Sequence, residues 1–217
     1  MAKSKTYGAK DIEVLEGLLP VRKRPGMYIG NTNIDGLHHL VNEILDNSID
    51  EVVAGYAKKI DFKYDLDNSI TIKDDGRGIP IDFHPKYKNK RAFEIVLTTL
   101  HSGGKFTNNA YKTSGGLHGV GISVVNALSE KLEVKIYNKS KLYSQIYSKG
   151  KAKTKVKIEK CNKNIKGTEI KFIPDKEIFE SILFSPKKLY SFIKMKAVLV
   201  KDTKINFNIN KELIKDK

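Results

Sequence analysis

The sequence predicts an α+β layered domain, a mixed sheet covered by helices, on three observations. Helix-period segments dominate the first half and strand-period segments the second, the order expected when helices are segregated to one side of a sheet. No internal repeat or low-complexity linker divides the chain. Its 217 residues suffice for one sizeable core and are short for two ordinary domains.

Taken in order, residues 10–18 read as a short helix, followed by a loop from Arg22 to Gly30. Residues 36–55 carry the clearest pattern. At about 100° per residue, Leu40, Val41, Ile44, Leu45, Ile49, Val52 and Val53 fall in one arc, and His39, Glu43, Asn47, Asp50 and Glu51 in the opposing one. Gly55 suits the C-cap. Residues 59–66 and 69–74 alternate as two strands around Asp67-Asn68, a hairpin signal. Residues 92–101 read as a helix and 102–118 as a long Gly/Asn/Ser loop; a helix of about ten residues starts near Gly119. Residues 131–138, 141–148, 153–159 and 167–173 are strand-like, a helix covers 185–200, and a strand covers 203–209. A loop as long as 102–118 is usually functional in a compact domain, often as a lid.

Composition narrows the class. Hydrophobic residues make up 40% and charged residues 30%, as in a soluble globular protein. The longest aliphatic runs, such as Ala197 to Val200, are too short to span a bilayer, so no membrane association is expected. Residues 1–10 lack the apolar core of a secretory signal, and the single cysteine, Cys161, excludes an internal disulfide and suits a reducing cytoplasm. The net charge of +15 could attract nucleic acid, although the abundance and spread of lysine read first as compositional bias. Arginine is rare: only Arg22, Arg24, Arg77 and Arg91 occur. Lysine cannot replace a planar fork at a bidentate site, so Arg22, Arg24 and Arg77, all in Gly- or Pro-containing motifs, are expected to be position-specific.

Three motifs carry chemistry. Glu43 and Asn47 are one helical turn apart, which stacks a carboxylate and a carboxamide on one face. A carboxylate held beside water can act as a base, and an amide oxygen is a hard ligand for Mg²⁺. His39, one turn earlier, could orient Glu43 or share its proton. The same residues also suit a solvated polar face, but Asn47 is a poor choice for the middle of a helix.

The second motif is Asp74-Asp75-Gly76-Arg77-Gly78-Ile79-Pro80. With a period of two, Asp74 shares a face with Ile70 and Ile72, toward the covering helices. A carboxylate buried there needs a donor; the exocyclic amine of adenine is one, whereas guanine would present a carbonyl oxygen. Gly76 and Gly78 let the backbone turn and approach a flat base, and Arg77 could pair with Glu51 beneath it. An ordinary Asp-Gly turn is the alternative.

The third is the glycine-rich stretch from Ser102 to Gly121, which holds six of the 16 glycines. Gly115 to Gly121 lead into a helix start, where free N–H groups favour phosphate, and Lys105 could add a cation. The pattern is neither a Walker A loop nor a dinucleotide fingerprint. His118, among small residues, more naturally shapes the loop than acts as a base.

Residues 36–51, 73–80 and 101–121 resemble the motifs of the GHKL ATPases. Val21 to Gly30, Leu100 to Phe106 and Ser114 to Leu128 further resemble those of the type IIA topoisomerase B subunits, the gyrase and topoisomerase IV branches, from about Tyr7 to the C-terminus. The segments Phe184 to Tyr190 and Lys196 to Leu199 look more like the topoisomerase IV branch. The resemblance implies a layered sandwich, its mixed, mostly antiparallel sheet covered on one face by helices. It implies an ATP site with Glu43 as catalytic base supported by His39, Asn47 as Mg²⁺ ligand and Asp74 as adenine anchor. Gly78, Ile79, Lys105 and Thr168 would line the nucleotide. Gly115, Gly116, Leu117, His118, Gly119, Val120 and Gly121 would form the lid, within residues 102–121.

Asp50, Glu51, Arg77 and Pro80 would support the pocket or the inhibitor subsite beside it, where Asn138 replaces an arginine common in gyrase chains. Tyr7, in an N-terminal arm over residues 1–20, would reach into the partner protomer of an ATP-dependent homodimer. DNA and a topoisomerase A subunit would be partners of the full-length enzyme, working in the cytoplasm. The family completes its site with a lysine from a following transducer domain, ahead of a TOPRIM domain; both are expected to lie outside this single domain, which predicts slow or absent hydrolysis by it alone.

Within the fold, a sensor kinase, a MutL ATPase and the ninety-kilodalton heat-shock chaperone are rivals, disfavoured by the Arg22–Gly30 and Leu100–Phe106 segments. From other classes, a basic DNA-binding module explains the charge but not Glu43, Asn47 and Asp74, and a nucleotide sensor that never hydrolyses would share every motif.

Overall fold

The computed structural model describes residues 8–104 and 119–214. The first helix, α1 (Leu19–Lys23), begins with Pro20 in its first turn, where a missing N–H costs nothing, and buries Val21. A four-residue helix, α2 (Gly26–Ile29), follows within the expected loop. The long helix α3 (Ile34–Val53) is capped at both ends. Asn33 Oδ1 accepts the Asp35 N–H at 2.8 Å, the usual N-cap bond. Gly55 takes a left-handed φ of 81°, and the N–H groups of Gly55 and Tyr56 close onto Val52 and Glu51 carbonyls, a Schellman ending.

The main sheet contains eight strands, among them β1 (Lys59–Tyr64) and β2 (Ile70–Asp74); β3 (Phe83–His84) and β4 (Tyr87–Arg91) form a separate small hairpin. Helices α4 (Ala92–Thr98) and α5 (Gly121–Ala127) precede β5 (Ser129–Asn138), β6 (Lys141–Ser148), β7 (Lys151–Ala152), β8 (Lys157–Lys160) and β9 (Gly167–Pro174). Helix α6 (Pro186–Leu199) and strand β10 (Lys204–Ile209) follow. The order is β10-β1-β2-β9-β5-β6-β7, with β8 also on β6. Only the β1–β10 pair is parallel.

Alternation assigns the two faces. Ile60, Phe62, Tyr64, Ile70, Ile72, Val134, Ile136, Ile170 and Phe172 are buried in one core with Leu37, Leu40, Val41, Ile44 and Leu45 of α3, Val124 and Val125 of α5, and Leu189 and Ile193 of α6. The opposite face is polar. Asp61, Lys73, Glu169 and Lys135 are consecutive cross-strand partners, and Glu169 lies 3.6 Å from Lys73 and 3.1 Å from Lys135. Opposite charges there offset one another, which suits a face left to water. The expected α+β sandwich is the observed one.

Local expectations are corrected in three places, the first being the expected loop from Arg22 to Gly30, which holds the end of α1 and all of α2. Residues 10–18 are not a helix: only Ala9–Asp11 form a 3-10 turn, residues 8–14 are exposed and bury no stripe, and Gly17 adopts a left-handed φ of 61°. Residues 153–159 are not one strand. The chain leaves the ladder between β7 and β8, where Thr154 Oγ1 accepts the Ile146 N–H and so substitutes for a strand bond.

Candidate active site

Asp74 ends β2 on the helix side of the sheet, beneath α3, and only 6% of its surface is exposed. Its Oδ2 accepts from Ser48 Oγ at 3.1 Å, and its Oδ1 from the N–H of Gly76 at 2.9 Å and of Thr168 at 3.4 Å. Burial lifts the carboxyl to about 6, against the pull of those three bonds and with a further push from nearby Glu51. Thr168 on β9 is tied to the loop after β2 through its hydroxyl, which accepts the Ile79 N–H at 3.2 Å.

Beneath the Asp74 loop, Arg77 holds Glu51 in the forked geometry the sequence anticipated. Nη2 donates to Oε1 at 2.7 Å and Nε to Oε2 at 3.2 Å, while the Arg77 N–H reaches Oε2 at 2.9 Å. The guanidinium also lies 3.7 Å from the Tyr56 ring centroid, a cation–π contact. Arg22 is equally specific, bonding Ala127 O and Asp175 Oδ2, each at 2.8 Å. For Arg24 no comparable side-chain contact is seen among the described residues.

Two turns before Glu51 on α3, about 12 Å along the axis, stands Glu43. His39 Nε2 donates to its Oε1 at 3.0 Å, and that bond raises the imidazole above its ordinary range. The Asn47 amide nitrogen donates back to Glu43 O at 2.8 Å, so the carboxamide oxygen is the end that can meet a cation. Gly121, the first residue of α5, packs directly on the Glu43 carboxylate.

A cavity of about 680 Å³ joins the two ends, within the range of small-ligand sites. Of the residues singled out by sequence, Glu43, Asn47, Glu51, Asp74, Arg77, Gly78, Ile79, Pro80, Gly119, Val120, Gly121 and Thr168 line it. Asn138 does too; His39 and Asp50 do not, His39 acting on Glu43 from outside and Asp50 lying buried on α3. Tyr7, Lys105, Gly115, Gly116, Leu117 and His118 lie outside the described residues. Sequence reasoning missed Ser48, and the apolar wall from Ile44, Ile72, Ile95 and Ile170. Ser48 follows Asn47 as a second poor helix former, which was a usable signal.

Residues 32–177 match the family of histidine kinase-, DNA gyrase B- and HSP90-like ATPases. The chain belongs to this ATPase family. Over 212 residues it is 59% identical to the B subunit of DNA topoisomerase 4 from Rickettsia bellii, which is 97% of this chain and 32% of that protein. The chain thus spans about a third of the length of the curated relatives it matches. Among solved structures it is similar to the topoisomerase IV ATP-binding domain of Francisella tularensis in complex with a small-molecule inhibitor. The TM-score is 0.78 at 40% identity, over 92% of this chain and 93% of that one. The 43K ATPase domain of Thermus thermophilus gyrase B, in complex with an aminocoumarin, matches at TM-score 0.79 and 39% identity, over 88% of this chain and 48% of that one. Within this ATPase domain no helix among the described residues is long and apolar enough to cross a membrane.

Proposed function

We propose that this chain is the ATP-binding and hydrolysing domain of a type IIA topoisomerase B subunit of the topoisomerase IV branch. In that role ATP binding closes a dimer gate around DNA during strand passage, with an A subunit as partner, in the cytoplasm. The observation that carries the proposal is Asp74: a buried carboxylate, braced by Ser48, Gly76 and Thr168, on the wall of a cavity whose far end holds Glu43. An acceptor at that depth selects the amine of adenine and repels the guanine carbonyl. Thr168 and Ile79 flank the base, and Arg77 and Glu51 stiffen the loop beneath it.

At the other end, Glu43 is the base for an in-line water, and His39 orients the carboxylate. Among the described residues no cluster of three His, Cys, Asp or Glu could hold a metal. An ion here would take the Asn47 oxygen together with phosphate and water, the ligand set that suits Mg²⁺. Mg²⁺ would neutralise phosphate charge when bound. Gly119 to Gly121 bring the chain back against the Glu43 end; the rest of the lid, with Lys105, and the arm carrying Tyr7 belong to the same proposal.

The test is decatenation of linked DNA circles by the full-length protein with its A partner. ATP-dependent decatenation is expected, with Glu43→Ala lowering turnover by roughly 10²–10⁴-fold while nucleotide still binds. Negative supercoiling in place of decatenation would move the chain to the gyrase branch, and activity indifferent to ATP would refute the reading.

A further inference from the structure

Between residues 139 and 166 there are ten lysines and one acidic residue, Glu159, in a chain with 40 Lys and Arg against 25 Asp and Glu. This segment forms the β6–β7–β8 end of the sheet. Lys139, Lys141, Lys151, Lys153, Lys155 and Lys160 are all exposed, and none of them is within ion-pair distance of a carboxylate among the described residues. Lys141 and Lys160 are direct cross-strand partners, an arrangement of like charges that costs stability. The centre of the sheet is paired differently, as the Asp61, Lys73, Glu169 and Lys135 ladder shows, and a second lysine pair, Lys59 and Lys204, lies at the opposite, β10 edge. At this end, among the described residues, only Lys149 and Lys157 of the ten lysines are ion-paired, with Asp175 and Glu177 and with Glu159 respectively, which leaves a net excess of positive charge.

We propose that this edge docks the phosphate backbone of duplex DNA, without regard to sequence. The choice of duplex rests partly on the strand-passage reading above, and partly on what the edge lacks. Tyr143 and Tyr147, the only aromatic residues between 139 and 166, are buried, so there is no stacking platform for single-stranded bases. The cations are all lysines, point charges suited to phosphate rather than forks that read guanine. Ile158 and Ile165 are the exposed large apolar side chains of this segment, at 46% and 38%, and two such residues give too little apolar surface for insertion into a membrane interface. The eight residues of β6 extend about 26 Å, comparable to most of one duplex turn of about 34 Å.

The test is fluorescence anisotropy of a labelled 20-base-pair duplex with the 217-residue chain across a salt series. The edge variant carries Lys151→Gln, Lys153→Gln, Lys155→Gln and Lys160→Gln. The control removes as many charges elsewhere, with Lys187→Gln, Lys194→Gln, Lys201→Gln and Lys211→Gln. The edge variant is expected to bind at least tenfold more weakly, with a log–log salt slope reduced by roughly 0.9 for each phosphate it no longer neutralises; the control keeps most of the affinity and slope. Equal losses in both variants, no duplex binding by the wild type, or preference for single strands or anionic vesicles would each overturn the proposal. Binding of an ATP analogue is measured alongside. Its absence with duplex binding intact would count against the nucleotide reading and not against the edge.

Discussion

Gly121 lies so close to Glu43 that a Cβ added to it would overlap the carboxylate oxygen Oε2. The start of α5 thereby fixes where the carboxylate of α3 can be. In an unconstrained helix, replacing Gly by Ala gains about 0.5–1 kcal/mol; here the methyl group must displace Glu43. Gly121→Ala is expected to lower ATP turnover by about 100-fold, the scale of a misplacement near 1 Å. The double variant with Glu43→Ala should lose little more than Glu43→Ala alone, because both act on one group. Steady-state turnover by the full-length protein checks both statements.

Asp74 gives an opposed pair of effects. Its folded carboxyl titrates near 6 against an ordinary 3.8, so between those values the folded state binds more protons than the unfolded one. Stability contributed by this group therefore falls as pH rises from about 4 to 6, and remains lost at neutral pH. Asp74→Asn keeps an oxygen for the Gly76 and Thr168 N–H groups and a donor for Ser48. It is expected to stabilise the fold at pH 7 by of order 2 kcal/mol, while weakening ATP-analogue binding by at least tenfold. Denaturant titration and calorimetry on the same sample separate the two.

Arg77→Lys tests the fork. A lysine cannot make the paired bonds to Glu51 or lie flat on Tyr56, and weakening a pair whose Glu51 side is buried leaves that carboxylate with fewer donors. A loss of about 1–2 kcal/mol is expected, with weaker analogue binding, because the Arg77 loop carries Ile79 past Thr168. Urea midpoints at constant m-value are the measurement.

His38 is buried between α3 and α6. Its Nδ1 donates to Ile34 O at 2.6 Å and its Nε2 accepts the Ser185 N–H at 3.0 Å, which requires the neutral ring. Burial holds its pKa below 6.5, with nearby Lys188 lowering it and Asp35 opposing that. A histidine with a depressed folded pKa contributes stability that is fully present above its unfolded value and lost as pH falls below it. The wild type minus His38→Gln difference in stability is therefore expected to be flat above pH 6.5 and to shrink below it, as followed by urea unfolding between pH 5 and 8.

Much of this was legible in the sequence because it rests on periodicity and local chemistry. The apolar arc of α3 set which side faces the core, except for Val53, which is 51% exposed at the helix end, and the period of two set Asp74 on the same face as Ile70 and Ile72. The Glu51–Arg77 pair could be anticipated because arginine is scarce. Where the reading failed, non-local packing decided. Residues 10–18 have helix-compatible composition, but only Leu18 at their end is buried in the core and the rest present no buried stripe, and 153–159 alternate like a strand although β6 takes up only the two ends. The hairpin of Phe83–His84 and Tyr87–Arg91 has little burial on which a pattern could show. Ser48 and Thr168 meet at Asp74 across 26 and 94 residues of sequence, a contact that spacing alone does not reveal.

In the proposed function, Asn47 and Asp74 hold the two ends of one adenine nucleotide. Calorimetric titration of a non-hydrolysable ATP analogue into the wild type, Asn47→Ala and Asp74→Asn, with and without Mg²⁺, tests it most directly. Binding to the wild type that strengthens with Mg²⁺, a Mg²⁺ effect lost in Asn47→Ala, and weak binding by Asp74→Asn in either condition is the expected result. Wild-type affinity in both variants would contradict the placement of the nucleotide in this cavity.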